Sequence, residues 1–349
     1  MTRNASTGCS RHEVSAPSGT PSFTGRSLAG YACIAAAALF WGISATLGRA
    51  VFTGRLHVLG NTVDPIPPLM LAQSRTSFAF LVIAPLLLLI RGKNAMRMTP
   101  RDAFSAMLVG CLGIAASNFF YYYAIQQTTV ATAIILQYTA PVMVLMYMVA
   151  RGLQRATPPR LMGVALSVLG SILAIGIVSR AAGFPWLGVS TRDLKLDLSG
   201  VLAALAAAVA FSFYNVHGQH LVGKHDRWRI LAWALAGAAA GWLVIHPPWK
   251  VVAAHYDAPQ WTFMLIFSAF SVLVPFSLYF WGLQFLDPTR AIVTSCLEPV
   301  FAIVIAAAFL GETVNAIQIA GIVIVLSATV LIQVPEREER AVVAIEPME

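Results

Sequence analysis

The sequence predicts an all-α membrane protein of ten transmembrane helices, arranged as two inverted five-helix repeats. Three observations carry that expectation. Of the 349 residues, 58% are hydrophobic and 11% charged, against a charged share of about a quarter in soluble domains. Ten apolar stretches approach the length of about 20 residues that a bilayer core demands of a helix. The pattern also repeats about 158 residues on without a gap: Tyr121 aligns with Tyr279, Gln126 with Gln284, Ala133-Ile134 with Ala291-Ile292, Pro141-Val142 with Pro299-Val300, Ala150 with Ala308 and Gly163 with Gly321. The proline, glycine and glutamine pairs carry the weight, because Leu or Val cannot stand in for them.

The expected spans run Ser27 to Ala50, Pro68 to Ile90, Ala103 to Ile125, Thr128 to Ala150, Leu161 to Val178, Leu198 to Leu221, Ile230 to His246, Trp261 to Leu283, Pro288 to Leu310 and Val314 to Val334. Five spans per copy is an odd number, so the second copy enters from the opposite side and the halves are inverted about an axis in the membrane plane. Such repeats place a substrate site near the midplane where the halves meet. The domains expected are a repeat over 27–178, an external linker over 179–197 and a second repeat over 198–334. Small residues at helical spacing (Gly113 and Ser117, Gly163 and Ser167, Gly237 and Gly241) suit close helix packing.

A net charge of +8 does not point to nucleic acid, since the basic residues lie in membrane-flanking loops. With the N-terminus inside, sixteen Lys and Arg fall on the cytoplasmic side and five opposite, the bias that sets orientation. Both termini are therefore expected in the cytoplasm, with the chain multi-pass in a bacterial-type inner membrane or a plasma membrane. Residues 1–26, rich in Ser, Thr, Gly and Pro, lack the apolar content for a core and read as a disordered tail, and residues 335–349 read as a second, acidic-basic cytoplasmic tail. Four cysteines without paired spacing support neither disulfides nor a Cys-based metal site. No cofactor or metal is expected.

Glu298 is the one carboxylate in the interior of a span. At a bilayer centre an acidic residue costs about 2.5 to 3.5 kcal/mol even on the mildest scale, so it needs a partner, water or a proton. It reads either as a coupling site for protons or as a neutral group bonded near a kink. Pro141 and Pro299 cannot donate to the carbonyls of Gln137 and Ser295, so spans 4 and 9 should bend there. The equivalent kinks are expected to face each other across a cavity, with Gln137, Tyr138, Ser295 and Glu298 supplying polar contacts. Arg75, about seven residues into span 2, either snorkels to the surface or faces inward to hold a substrate carboxylate or pair with Glu298. Arg49 reads as interfacial. Among the aromatics and amides of spans 3 and 6, Asn118, Tyr122 and Asn215 are the expected cavity residues. His217, His220 and His225 have loose metal-ligand spacing, but their basic surroundings favour an interfacial role.

Phe40-Trp41-Gly42, Arg75, the Pro141 segment, and above all Leu297-Glu298-Pro299 followed by Leu310-Gly311-Glu312 and Gly321, resemble the EamA family of the drug/metabolite transporter superfamily. The resemblance covers nearly all of the chain between its tails. It implies ten helices, two inverted repeats and movement of a small organic solute such as an amino acid or related metabolite, with export the favoured direction. Ala150-Arg151-Gly152 and Phe213-Tyr214 depart from the family pattern. Glu312 is read as a helix cap. The competing classes are a polytopic membrane enzyme, for which no Asp pair, Gly-x-Ser-x-Gly or His-Glu-x-x-His element is present in the spans, and a channel or scaffold. Proton coupling and a homodimer stay open alternatives.

Overall fold

The computed structural model describes residues 25–52, 57–58, 61–62, 64–128, 130–174, 197–247, 249–310 and 316–332. Most of the expected 1–26 tail and 179–197 linker, all of the 335–349 tail, and the Gly311-Glu312 pair lie outside them.

Helix α1 spans Gly25–Phe52 and is followed by a small hairpin, β1 (His57–Val58) paired antiparallel to β2 (Asn61–Thr62). Then come α2 (Pro68–Arg91), α3 (Pro100–Gln127), α4 (Val130–Gln137), α5 (Ala140–Ala150) and α6 (Pro158–Ala174). The second half holds α7 (Leu198–Val222), α8 (Arg227–Ile245), the short α9 (Trp249–Ala253), α10 (Ala258–Leu283), α11 (Pro288–Ser295), α12 (Glu298–Leu310) and α13 (Ala316–Leu331). Among the described residues, counting α4–α5 and α11–α12 as single spans, eight helices are long and apolar enough to cross a membrane; the described parts of α6 and α13, 17 and 16 residues, are shorter apolar helices.

The aspartates sit at span edges for a physical reason: they start helices. Asp197, Asp226, Asp257 and Asp287 each accept backbone N–H bonds as N-caps of α7, α8, α10 and α11, filling donors that have no partner inside the helix. Large side chains such as Leu89, Val244, Phe309 and Val330 are exposed on the outside, where a lipid environment would cover them. The core is built from α1, α2, α3, α7, α8 and α10, with Trp242, Tyr214 and Tyr279 fully buried in it.

The repeat seen in the sequence reappears in the backbone at the same spacing of 158. α3 and α10 start at Pro100 and Ala258, and each is interrupted by a π-helical turn, Val109–Ala115 and Ala269–Leu273, ending at equivalent residues. α4 and α11 end at Gln137 and Ser295, and α5 and α12 begin at Ala140 and Glu298. α6 and α13 pack antiparallel through small residues. Gly163 lies against Ile332, Gly170 against Val325, and Gly321 against Ala174. Because Ala174 and Ile332 are also 158 apart, the first and last of these are the same contact with the halves exchanged.

Candidate transport site

Two helix interruptions define the middle of the molecule. Between α4 and α5 the chain makes a tight turn at Tyr138-Thr139, with Thr139 N–H bonded to the Leu136 carbonyl at 3.2 Å. Between α11 and α12 the same turn occurs at Cys296-Leu297, with Leu297 N–H bonded to the Thr294 carbonyl at 3.1 Å. Pro141 and Pro299 each sit at the second position of the helix that follows, where a missing N–H costs nothing. The turns meet: Tyr138 packs against the cluster formed by Leu297, Val300 and Ala38.

Restarting the helix at Glu298 places its carboxylate at a fresh helix N-terminus, where the backbone dipole favours negative charge. The Tyr138 hydroxyl is within hydrogen-bonding reach of that carboxylate, and the Arg75 guanidinium is close enough to act on its charge. Glu298 is deep in the protein yet only half-buried, as are Arg75, Asn118, Tyr121, Gln137 and Tyr138. Each of these groups keeps part of its surface accessible. α1 comes close at this point because Gly42 has no side chain. A Cβ there would sit 2.9 Å from the backbone nitrogen of Ala302 and 3.0 Å from the carbonyl oxygen of Glu298.

Arg75 reaches inward from α2. It donates through Nη2 to Asn118 Oδ1, and its guanidinium carbon lies 5.4 Å from the centre of the Tyr122 ring, a favourable cation–π placement. Asn118 is oriented in turn by its amide, which donates to the Ile114 carbonyl at 2.8 Å beside the π-helical turn. The Arg75 Nε is buried and has no hydrogen-bond partner among the described residues. A buried donor of that kind calls for an acceptor, and a ligand oxygen could supply one.

Ser295 and Asn215 belong to a second group. Asn215 is fully buried, its amide donating to the Phe211 carbonyl at 2.8 Å and its Oδ1 accepting from the Tyr279 hydroxyl. Ser295 donates to the Ile292 carbonyl at 2.7 Å and lies within hydrogen-bonding reach of Tyr279. Trp41 closes over this group, with its ring centroid 5.3 Å from that of Tyr279 and 5.5 Å from that of Phe276. Gln137 ends α4 beside Tyr138. Thus Arg75, Asn118, Tyr122, Tyr138 and Glu298 come together as one cluster, while Asn215 and Ser295 meet around Tyr279. Tyr121, Tyr279 and Trp41 were not singled out from the sequence as site residues. The Tyr121–Tyr279 repeat pair was the signal that could have found two of them.

The histidines at the end of α7 are engaged one by one. His217 Nε2 lies 2.6 Å from Ser105 Oγ with its ring stacked on Phe213, and His225 Nε2 lies 2.9 Å from Asp102 Oδ2.

An apolar multi-helix bundle with breaks at its centre and a charged cluster beside them defines a polytopic membrane protein. The chain belongs to the EamA-like transporter family, whose model matches residues 28–176 and again 198–334. Among similar proteins, the inner membrane transporter YicL of Salmonella typhimurium is 23% identical over 68% of this chain and 75% of its own length. A transporter of Archaeoglobus fulgidus is 25% identical over 83% and 96%. The threonine/homoserine exporter RhtA of Salmonella typhimurium is 27% identical over 62% and 67%. A solved crystal structure shares the fold, with a TM-score of 0.67 at 17% identity over 89% of this chain and 98% of that one.

Proposed function

We propose that the protein exports a small zwitterionic solute of the amino-acid class by alternating access, with Arg75 and Glu298 as its opposite-charge receptors. The observation that carries this reading is the pairing of a guanidinium, whose buried Nε has no hydrogen-bond partner among the described residues, with a carboxylate at a helix start, both half-buried at the proposed cleft. An α-carboxylate would bond Arg75, with Asn118 fixing the guanidinium plane. An α-ammonium would pair with Glu298, steadied by Tyr138. Tyr122 and Gln137 complete the lining, and Asn215 and Ser295 hold Tyr279 in place. The similarity to RhtA, a threonine/homoserine exporter, favours this solute class.

Ten spans in two inverted repeats, 27–178 and 198–334, fit the common spacing of 158 and the self-exchanging contact of α6 with α13. A cytoplasmic placement of both termini follows from the charge bias. Glu298 is also the group through which protons would couple, since it can release a proton as the cleft opens to each side.

The test is counterflow into proteoliposomes with threonine, homoserine and a panel of small metabolites, with and without a pH gradient, for wild type and Glu298→Gln. Saturable flux that loses its pH dependence in the variant supports the reading. Saturable flux that is unchanged removes Glu298 from the mechanism, and no saturable flux for any solute sinks transport of this class.

A further inference from the structure

An apolar groove of about 480 Å³ runs along the outside of the molecule between the second half of α2 and the second half of α10. Ile83 and Leu87 form its buried floor, and Leu86, Ile90 and Trp281 its exposed rim. From Ile83 to Arg91 the helix advances roughly 12 Å, a depth that passes well into one leaflet of a hydrocarbon core about 30 Å thick.

The groove has a charged mouth. Arg91 and Trp228 line it at one end, and Arg227 stacks over the Trp281 ring at 4.2 Å and lies 5.9 Å from that of Trp228. Arg227 Nε is buried and makes no hydrogen bond among the described residues. Its Nη1 touches Gln284 Oε1 at the limiting distance of 3.5 Å. One acid is close by: Asp226 pairs with Arg91 at 2.9 Å across an exposed bridge. Arg227 and the remaining donors of Arg91 leave the mouth positive.

The rest of the fold explains why the groove exists. At the equivalent interface of the other half, α8 meets α3 backbone to backbone. A Cβ on Gly237 would overlap the main chain of Met107, and one on Gly110 would overlap the Ala234 carbonyl. In the 158 register Ser268 replaces Gly110. α2 and α10 stay packed near Leu71, Phe78, Trp261 and Phe267 and part beyond them.

We propose that this groove is a binding site for an anionic phospholipid, its phosphate held by Arg227 and Arg91 and one acyl chain laid over Ile83 and Leu87. A channel that is apolar along its length, with guanidinium donors at the interfacial end, matches a lipid and not a soluble anion: the arginines meet the phosphate, for which the guanidinium fork is suited, and the wall meets the chain. Basic pockets between membrane helices recognise lipid headgroups on the same principle. The site is separate from the Arg75–Glu298 cleft and does not depend on the transported solute.

The test is native mass spectrometry of the full chain in detergent, challenged with equal amounts of phosphatidylglycerol and phosphatidylethanolamine. One net positive charge at the mouth, two arginines less Asp226, predicts a preference for phosphatidylglycerol of about fivefold. The preference should fall close to one in Arg91→Gln/Arg227→Gln and persist in Arg101→Gln, which removes an equivalent exposed charge elsewhere. Leu278→Trp, which fills the groove and leaves the arginines alone, should reduce retention of both lipids. Equal retention in wild type, or an equal loss in Arg101→Gln, overturns the proposal. So does displacement of the lipid by millimolar inorganic phosphate.

Discussion

Arg75 and Asn118, on separate helices, are joined by a hydrogen bond that turns a cation toward the centre of the bundle and holds it beside the Tyr122 ring. Asn118 is itself anchored to the Ile114 carbonyl. The guanidinium plane is therefore fixed before any ligand arrives.

That arrangement distinguishes Arg75→Lys from Arg75→Gln less than their charges suggest. A Lys keeps the charge but not the planar fork, so both variants should weaken solute binding. Loss of one charge-assisted hydrogen bond, worth about 1.5–3 kcal/mol, predicts a rise in counterflow KM of roughly 10- to 150-fold. Concentration dependence of the initial counterflow rate checks this. A Lys variant with wild-type KM would count against an oriented receptor.

Tyr279→Phe should destabilise more than the loss of one average hydrogen bond, because it strands the buried Oδ1 of Asn215. An unsatisfied buried acceptor costs about 1–3 kcal/mol. Asn215→Leu combined with Tyr279→Phe removes both partners and should cost less than the sum of the single changes. Thermal unfolding of the four proteins in detergent measures the coupling.

Gly237→Leu forces α8 away from the Met107 backbone, and overpacking of this kind costs about 1–3 kcal/mol or more. Gly223→Ala, whose added Cβ would find its nearest neighbour at 3.6 Å, should stay within about 0.5 kcal/mol of wild type. A drop in folded yield for the first and none for the second, read by size-exclusion profile, is the expected result.

The charge bias predicts that a cysteine at Lys224 is shielded from a membrane-impermeant maleimide in intact cells, whereas one at His255 is labelled. The reverse pattern would invert the topology.

Much of this architecture was legible in the sequence. The apolar stretches marked the helices, and the paired prolines fell beside both interruptions because a missing N–H leaves a mark that any reading can find. The π-helical turns are marked unequally: Pro275 cannot donate to the Ser271 carbonyl inside Ala269–Leu273, whereas Val109–Ala115 holds two glycines and no proline. The inward reach of Arg75 was one of two readings, and its bond to Asn118 could not be chosen from spacing because the two come from different helices. Asn215 was expected to face the cleft. Its burial beneath Tyr279 reflects a contact between α7 and α10 that helical periodicity, in segments apolar on every side, does not encode.

The pairing of α6 with α13 bears on how such a molecule could move. Gly163 against Ile332 and Gly321 against Ala174 are one contact seen twice, so a motion in which the two halves trade shapes leaves this seam as it was. The α8–α3 and α2–α10 interfaces, one shut and the other parted, are what such a trade would reverse. In mechanical terms the proposed exchange would give α6 and α13 the part of a fulcrum: a joint that stays still by symmetry while the levers on either side change places.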